Sequence, residues 1–146
     1  MSVDVKAETV IARPRENVAD LMFDAKSDVI WIEGLKQCFP QNAGKLAKGS
    51  RVEHRGTMCG HEFVSDLLVT KDDPGKMLEF SSPEPFEMKI RYHLADVADG
   101  TSVKIQIQSI GDTSRIGMPP AVLSNKVRED IESSVKKLKH HLENNV

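Results

Sequence analysis

The stretch PPAVLSNKVREDIESSVKKLKHHLE, residues 119–143, carries the strongest structural signal in this sequence. Its apolar residues recur every three or four positions and form one stripe of an amphipathic helix: Leu123, Val127, Ile131, Val135, Leu138 and Leu142. Such a helix is ~37 Å long, about the length of a strand of ten or eleven residues. It is only ~10 Å wide, whereas a sheet of six or seven strands is much wider. A sheet that packs on this helix must therefore curve around it, and we expect a cavity toward one end.

Ahead of the helix, alternating apolar and polar residues predict an antiparallel sheet. Strands are expected over residues 3–11, 36–42, 50–58, 61–71, 77–81, 86–94 and 101–108. Two short helices should follow the first strand, one near Pro14 and one over residues 25–35 that carries Trp31 and stops at Gly34. Because Pro40 cannot donate a backbone hydrogen bond, the second strand should be bulged or broken there and lie at a sheet edge. The predicted class is α+β, with six to seven strands wrapped around the last helix.

Composition narrows the class of protein further. A chain of 146 residues with 39% hydrophobic and 29% charged residues fits one folded domain over residues 1–146. The formal net charge of −2 gives no support for a nucleic-acid partner, and the lysine-rich end of the last helix suits the helix dipole. No segment approaches the ~20 apolar residues that cross a bilayer, so no membrane insertion is expected. With a charged N-terminus and only two cysteines, a cytoplasmic location is expected. The oligomeric state is not predicted.

Several short patterns, in this order along the chain, resemble a known family. They are Ala12-Arg13-Pro14-Arg15-Glu16-Asn17-Val18 at the first helix, Trp31 in the second helix, Gly49 and Gly60 around the third strand, Val69-Thr70-Lys71-Asp72-Asp73-Pro74, and Gly100-Thr101. Their order and spacing are similar to the polyketide cyclase/dehydrase and lipid-transport superfamily (SRPBCC), which includes START domains and birch-pollen-allergen-like proteins. The resemblance implies the helix-grip fold and a cavity for a hydrophobic ligand. It implies no catalytic residues, because no catalytic set of the family is matched.

Candidate ligand-binding residues come from the inward faces of the predicted strands, together with the second helix and the loop before the last one. The candidates are Trp31, His54, Met58, Phe63, Phe80, Phe86, Met88, Tyr92 and Met118. His54 can orient a ligand or exchange a proton, or it can be a structural histidine at the rim. Tyr92 can bond a ligand or a protein carbonyl. Aromatic residues in this set can equally be core.

Other motifs in the sequence give only weak evidence for a metal site or for catalysis. Cys59-Gly60-His61, even with His54 or His93, supplies only half of a zinc site, so neither a metal nor a cofactor is expected. No nucleophile elbow, phosphate loop or dinucleotide fingerprint is present.

Three functions remain open at this point. The favoured hypothesis is binding or transport of a small hydrophobic ligand, lipid- or polyketide-like, in the cavity. The first alternative is an enzyme of the cyclase or dehydratase type, with His54 as general base and Tyr92 polarising a carbonyl. The second alternative is a protein-interaction module or chaperone cofactor with a vestigial cavity, whose mark would be an exposed apolar patch.

Overall fold

Seven antiparallel strands form one curved sheet in the computed structural model of the chain, which describes residues 3–144. The strands are β1 (Asp4–Ile11), β2 (Leu35–Pro40), β3 (Arg51–Met58), β4 (His61–Asp73), β5 (Met77–Ser82), β6 (Met88–Val97) and β7 (Gly100–Ser109). Their order across the sheet is β1-β7-β6-β5-β4-β3-β2, so β1 and β2 form the two edges although they are neighbours in sequence. The segment between them must therefore cross the concave side of the sheet.

Three α-helices accompany the sheet: α1 (Arg15–Met22), α2 (Asp28–Trp31) and α3 (Pro120–Asn144). Pro14 directly precedes α1, where the missing N–H of proline leaves no helical bond unmade. The second predicted helix is wrong in extent, since α2 ends at Trp31 and a 3₁₀ turn at Ala25–Ser27 precedes it. Ile32 already has extended backbone, and Leu35 pairs with β3 as the first residue of β2, so residues 32–34 form the crossing to β2.

Strands β2 and β6 also differ from the prediction. β2 lies at a sheet edge as expected, but its irregularity falls between Leu35 and Gln37, and Pro40 is simply its last residue. The extra residue in this bulge turns both Leu35 and Cys38 away from solvent. β6 begins at Met88, because the preceding turn, with prolines at 83 and 85 that lack backbone donors, continues through Phe86.

The core lies between the concave face of the sheet and the helices. The predicted stripe of α3 is confirmed: Leu123, Val127, Ile131, Val135 and Leu138 are buried, and Leu142 is partly buried against them. α3 packs mainly on β1 and α2. Because it lies toward that side, the middle of the sheet is only partly covered, and a cavity remains there. None of the helices within residues 3–144 is long and apolar enough to cross a membrane.

Candidate functional site

A cavity of about 70 Å³ lies between the concave face of the sheet, the end of α2 and the middle of α3. Six of the nine predicted ligand-binding residues line it: Trp31, His54, Met58, Phe63, Met88 and Tyr92. The fold thus brings these six side chains to one cavity, and their contact with a ligand stays a prediction.

The other three predicted residues do not line this cavity. Phe80 lies behind Tyr92, with the two ring centroids 5.1 Å apart in an edge-to-face arrangement. Phe86 is fully buried in the core, and Met118 packs partly exposed against the core before α3. Alternation along a strand gives the face on which a side chain lies but not its depth, so it could not separate these residues from the lining.

Sequence reasoning missed most of the remaining lining. One apolar member, Leu35, stands at the end of the predicted second helix. The other inward-facing apolar members share the predicted strand alternation or helical stripe: Leu67, Ile90, Ile105, Ile107 and Ile131. The remaining lining residues are mostly polar and follow none of the predicted apolar patterns: Ile32, Glu33, Thr57, Ser82, Glu84, Asp130 and Ser134. The second set had no signal in the sequence, because strand ends, loops and helix α3 bring it together only in the folded chain.

Two glycines hold the loop after α2 against the sheet. A Cβ on Gly56 would lie 2.3 Å from the carbonyl oxygen of Gly34, and a Cβ on Gly34 would lie 2.2 Å from that of Thr57. The backbone N–H of Thr57 donates to the Gly34 carbonyl at 2.9 Å. Gly34 also has a φ of +80°, which favours glycine. This close backbone approach fixes α2, and therefore Trp31, above β3.

One wall of the cavity region is polar. We call Asp28, Cys38 and His54 the polar corner: they come from α2, β2 and β3, and Cys38 lies directly opposite His54 in the sheet. Nε2 of His54 lies 2.9 Å from Oδ2 of Asp28, and both side chains are buried. The Cys38 thiol donates to the Ala25 carbonyl at 2.9 Å, and its Sγ is 3.9 Å from the same Asp28 oxygen. His54 brings this corner into the cavity lining.

Burial dominates the electrostatics of the polar corner. It raises the pKa of Asp28, and the hydrogen bond from His54 opposes this only partly. Burial, followed by the nearby Asp28 charge, raises the pKa of the Cys38 thiol to about 12. Within residues 3–144, Oδ1 of Asp28 has no hydrogen-bond partner. The corner therefore holds an acidic group that its surroundings do not fully satisfy.

Asp28 is the main residue that sequence reasoning did not find. In the sequence it reads as an ordinary acidic residue at the first turn of a short helix. Cys38 was hidden by the bulge in β2, which changes the face on which it lies. Of the weak metal candidates in the sequence, His54 belongs to the polar corner and the others lie elsewhere, since His61 and His93 are exposed and Cys59 occupies the turn between β3 and β4.

Aromatic rings form the next part of the wall. Trp31 and Tyr92 are both buried, with ring centroids 5.5 Å apart at an interplanar angle of 64°. Burial raises the pKa of Tyr92 well above its ordinary value, and the charge of Asp28 adds to this effect. Tyr92 is therefore a neutral hydroxyl near the polar corner, able to donate a hydrogen bond.

One side of the cavity, which we call its mouth, lies between the loop after α2 and α3 and is closed by contacts between them. The backbone N–H of Glu33 donates to Oγ of Ser134 at 2.9 Å, and the Ser134 hydroxyl donates to the Asp130 carbonyl at 2.9 Å. Lys137 forms an ion pair with Glu33. Burial, reinforced by the Glu33 charge, raises the pKa of Asp130. The mouth is thus polar and held by few bonds, whereas the interior is mainly apolar.

Solved structures show which fold this arrangement belongs to. A START superfamily protein from Mycobacterium smegmatis superposes with a TM-score of 0.77 at 14% identity, covering 99% of each chain. Ara h 8.0201 has a TM-score of 0.73 at 10% identity over 99% of this chain and all of its own. The di-domain ARO/CYC protein BexL from the BE-7585A biosynthetic pathway has a TM-score of 0.74 at 12% identity, covering 98% of this chain and 49% of BexL.

The chain therefore has the helix-grip fold of START, Ara h 8-like and ARO/CYC proteins, and the predicted resemblance is confirmed at the level of the fold. No protein-family model and no curated protein matches the sequence. At these identities the likeness defines the fold alone, so function has to be argued from the cavity.

Proposed function

We propose that the protein binds a small, mainly apolar molecule in the cavity between the sheet and α3, with a polar group of that molecule directed at His54. The observation that carries the proposal is the composition of the wall: apolar side chains on most sides and one buried, hydrogen-bonded polar corner. Ligand sites commonly combine apolar surface for affinity with a few polar groups for orientation.

The volume of the cavity limits the ligand. About 70 Å³ is well below the ~300–1,000 Å³ of typical ligand pockets. A molecule enclosed in this conformation has only a few non-hydrogen atoms. A longer chain requires the mouth to widen, and the flexible side chains of Met58 and Met88 permit such adjustment.

The direct test is native mass spectrometry of the protein as purified, compared with the same sample after organic extraction. A mass excess that extraction removes supports the proposal and gives the ligand mass. Extracted protein is then titrated with benzene, indole and alkan-1-ols of increasing length while thermal unfolding is followed. Free ligand at 100 times its Kd stabilises by about 2.7 kcal/mol, which raises Tm by roughly 5–10 °C for a chain of this size.

A matched pair of variants locates the binding. Leu67 is buried and lines the cavity, whereas Leu68 faces the other side of β4. Leu67→Phe fills the cavity and should abolish the thermal shift, while Leu68→Phe should retain it. The proposal is wrong if the purified protein carries no extractable mass and no probe raises Tm, or if both variants respond equally.

A second candidate function is acid–base catalysis, and the geometry gives a specific reason to keep it. His54 and Tyr92 both line the cavity, and Asp28 bonds to the imidazole, which is how a general base is oriented. A cyclase or dehydratase would hold a carbonyl-rich chain between these groups. Product formation from a poly-β-ketone mimic by the wild type, lost in His54→Gln and Tyr92→Phe, would establish an enzyme.

The outer face of the sheet gives less support to an interaction module. Phe39 and Val64 are exposed there, but they lie on β2 and β4, with β3 between them. The guanidinium carbon of Arg55 on β3 lies 5.4 Å from the centre of the Phe39 ring. Charged residues thus interrupt the exposed apolar residues of this face within the described part of the chain.

A further inference from the structure

The polar corner brings three different kinds of metal ligand to one place. Asp28, Cys38 and His54 each offer one ligand atom, and these atoms lie within 4.8 Å of one another. It is the one group of three or more such residues found among residues 3–144. Because the three residues come from α2, β2 and β3, the tertiary fold itself holds them together, and no single loop does.

The separations suit a metal ion. Oδ2 of Asp28 is 2.9 Å from Nε2 of His54 and 3.9 Å from Sγ of Cys38. Three atoms at such distances share a centre no more than about 2.4 Å from each, close to the ~2.0–2.3 Å of zinc bonds to oxygen, nitrogen and sulfur. In a tetrahedral site such ligand atoms lie ~3.3–3.6 Å apart, so the Asp28–His54 separation would lengthen and the Asp28–Cys38 separation would shorten, each by a few tenths of an ångström.

The charge of the corner provides an independent reason. Asp28 is 2% exposed, and its Oδ1 has no hydrogen-bond partner within residues 3–144. Its ion-pair partner in that range is His54, which is cationic only when protonated. A buried carboxylate is unfavourable unless its charge is compensated. A divalent cation with one carboxylate, one thiolate and one neutral imidazole forms a group of zero net charge.

We propose that Asp28, Cys38 and His54 bind a divalent transition-metal ion, with Zn²⁺ favoured by the mixed oxygen, sulfur and nitrogen ligands. Three protein ligands leave a fourth tetrahedral position for water or a small ligand. His54 places the site at the cavity wall. The proposal goes beyond ligand binding and does not depend on it, because metal binding is measured directly.

The test uses Co²⁺ as a spectroscopic substitute for Zn²⁺. The full-length protein is treated with a chelator, freed of it, and titrated with Co²⁺ under reducing conditions. We expect one equivalent to produce the visible bands of tetrahedral Co²⁺ and a near-ultraviolet thiolate-to-cobalt band, both removed by Zn²⁺. Zn²⁺ should also raise Tm.

Cys59 provides the matched control, since it is the other cysteine of the chain, is buried, and lies outside the polar corner. Cys59→Ser should keep the thiolate band, and Cys38→Ser should abolish it. Asp28→Asn should lose the Tm increase with Zn²⁺. The proposal is overturned if the folded wild type gives no thiolate band at millimolar Co²⁺, or if the band disappears in Cys59→Ser. The wild type and Cys59→Ser decide the matter even if Cys38→Ser does not fold.

Discussion

A methyl group at Gly56 should push the loop after α2 away from β3. The added Cβ would lie 2.3 Å from the Gly34 carbonyl oxygen and 3.0 Å from Cα of Leu35, and both contacts are backbone. Real Cβ atoms essentially never come closer than 3.0 Å to another heavy atom, so the two segments must separate by about 0.7 Å. This displacement would move α2, which carries Asp28 and Trp31, relative to His54.

The expected losses of stability in three glycine-to-alanine variants distinguish the effect of crowding from the effect of backbone conformation. Gly56→Ala introduces crowding alone and should destabilise by roughly 1–3 kcal/mol. Gly34→Ala causes the same crowding and also forces alanine into a left-handed backbone at φ +80°, so its total loss of stability should be roughly 2–5 kcal/mol. Gly49 has a φ of +93°, and a Cβ added there would meet nothing within 4 Å, so Gly49→Ala should lose only about 1–2 kcal/mol. The double variant at 34 and 56 should be less than additive, because both changes disturb one contact.

Urea unfolding followed by tryptophan fluorescence measures the stability of the wild type, the three single variants and the double variant. Trp31 is the single tryptophan, is buried, and lies three residues before Gly34, so its native emission also reports the position of the loop. We expect the emission of Gly56→Ala and Gly34→Ala to shift, and that of Gly49→Ala to stay at the wild-type value. The reasoning is refuted if Gly34→Ala is no less stable than Gly49→Ala, or if Gly56→Ala is as stable as the wild type.

Three further perturbations follow from burial. Burial raises the pKa of Asp130, so its contribution to stability is present below the ordinary pKa of a carboxyl and is lost as pH rises through the raised value. The free energy of unfolding of Asp130→Asn, measured by urea titration, should therefore rise relative to that of the wild type as the pH increases from about 4 to 7. A difference between the two proteins that does not change with pH would contradict this. Leu138→Ala should cost about 2–5 kcal/mol in thermal or urea unfolding, and Leu142→Ala clearly less, because Leu138 is fully buried and Leu142 is partly exposed. Burial raises the pKa of Cys59 to about 11, so little of the thiol is ionised at pH 8 in the native protein. In a Cys38→Ser background, iodoacetamide at pH 8 should therefore react roughly 100-fold more slowly with the native protein than with the urea-unfolded protein. Equal rates would show that the Cys59 thiol is accessible in the native protein.

Local pattern was enough to predict the elements and their faces. The stripe from Leu123 to Leu138 and the alternation of Val103, Ile105 and Ile107 are buried as expected, because helical and strand periodicity are properties of neighbouring residues. The errors occur where a tertiary contact overrides the local pattern. The second helix stops early because Gly34 is held against β3, and the bulge in β2 brings Cys38 inward.

Five lining residues are predicted by inward alternation and a sixth, Trp31, by the second helix, but Phe80 and Phe86 are not distinguishable from them by pattern. All of these side chains face the interior, and only the packing of the helices separates a lining residue from a core residue. Met118 was chosen for its place before α3, and a loop position carries no information on which surface it will contact.

Periodicity in the sequence thus established a curved sheet around one long helix, because burying an apolar stripe of that width leaves few other arrangements. The cytoplasmic location and the binding of a small hydrophobic ligand stay predictions. The polar corner was decided by folding: residues 28, 38 and 54 are far apart along the chain and meet only because α2 crosses the concave face, β2 returns to the edge, and a bulge rotates Cys38. Contacts between distant residues depend on how whole elements pack, and no local pattern encodes them.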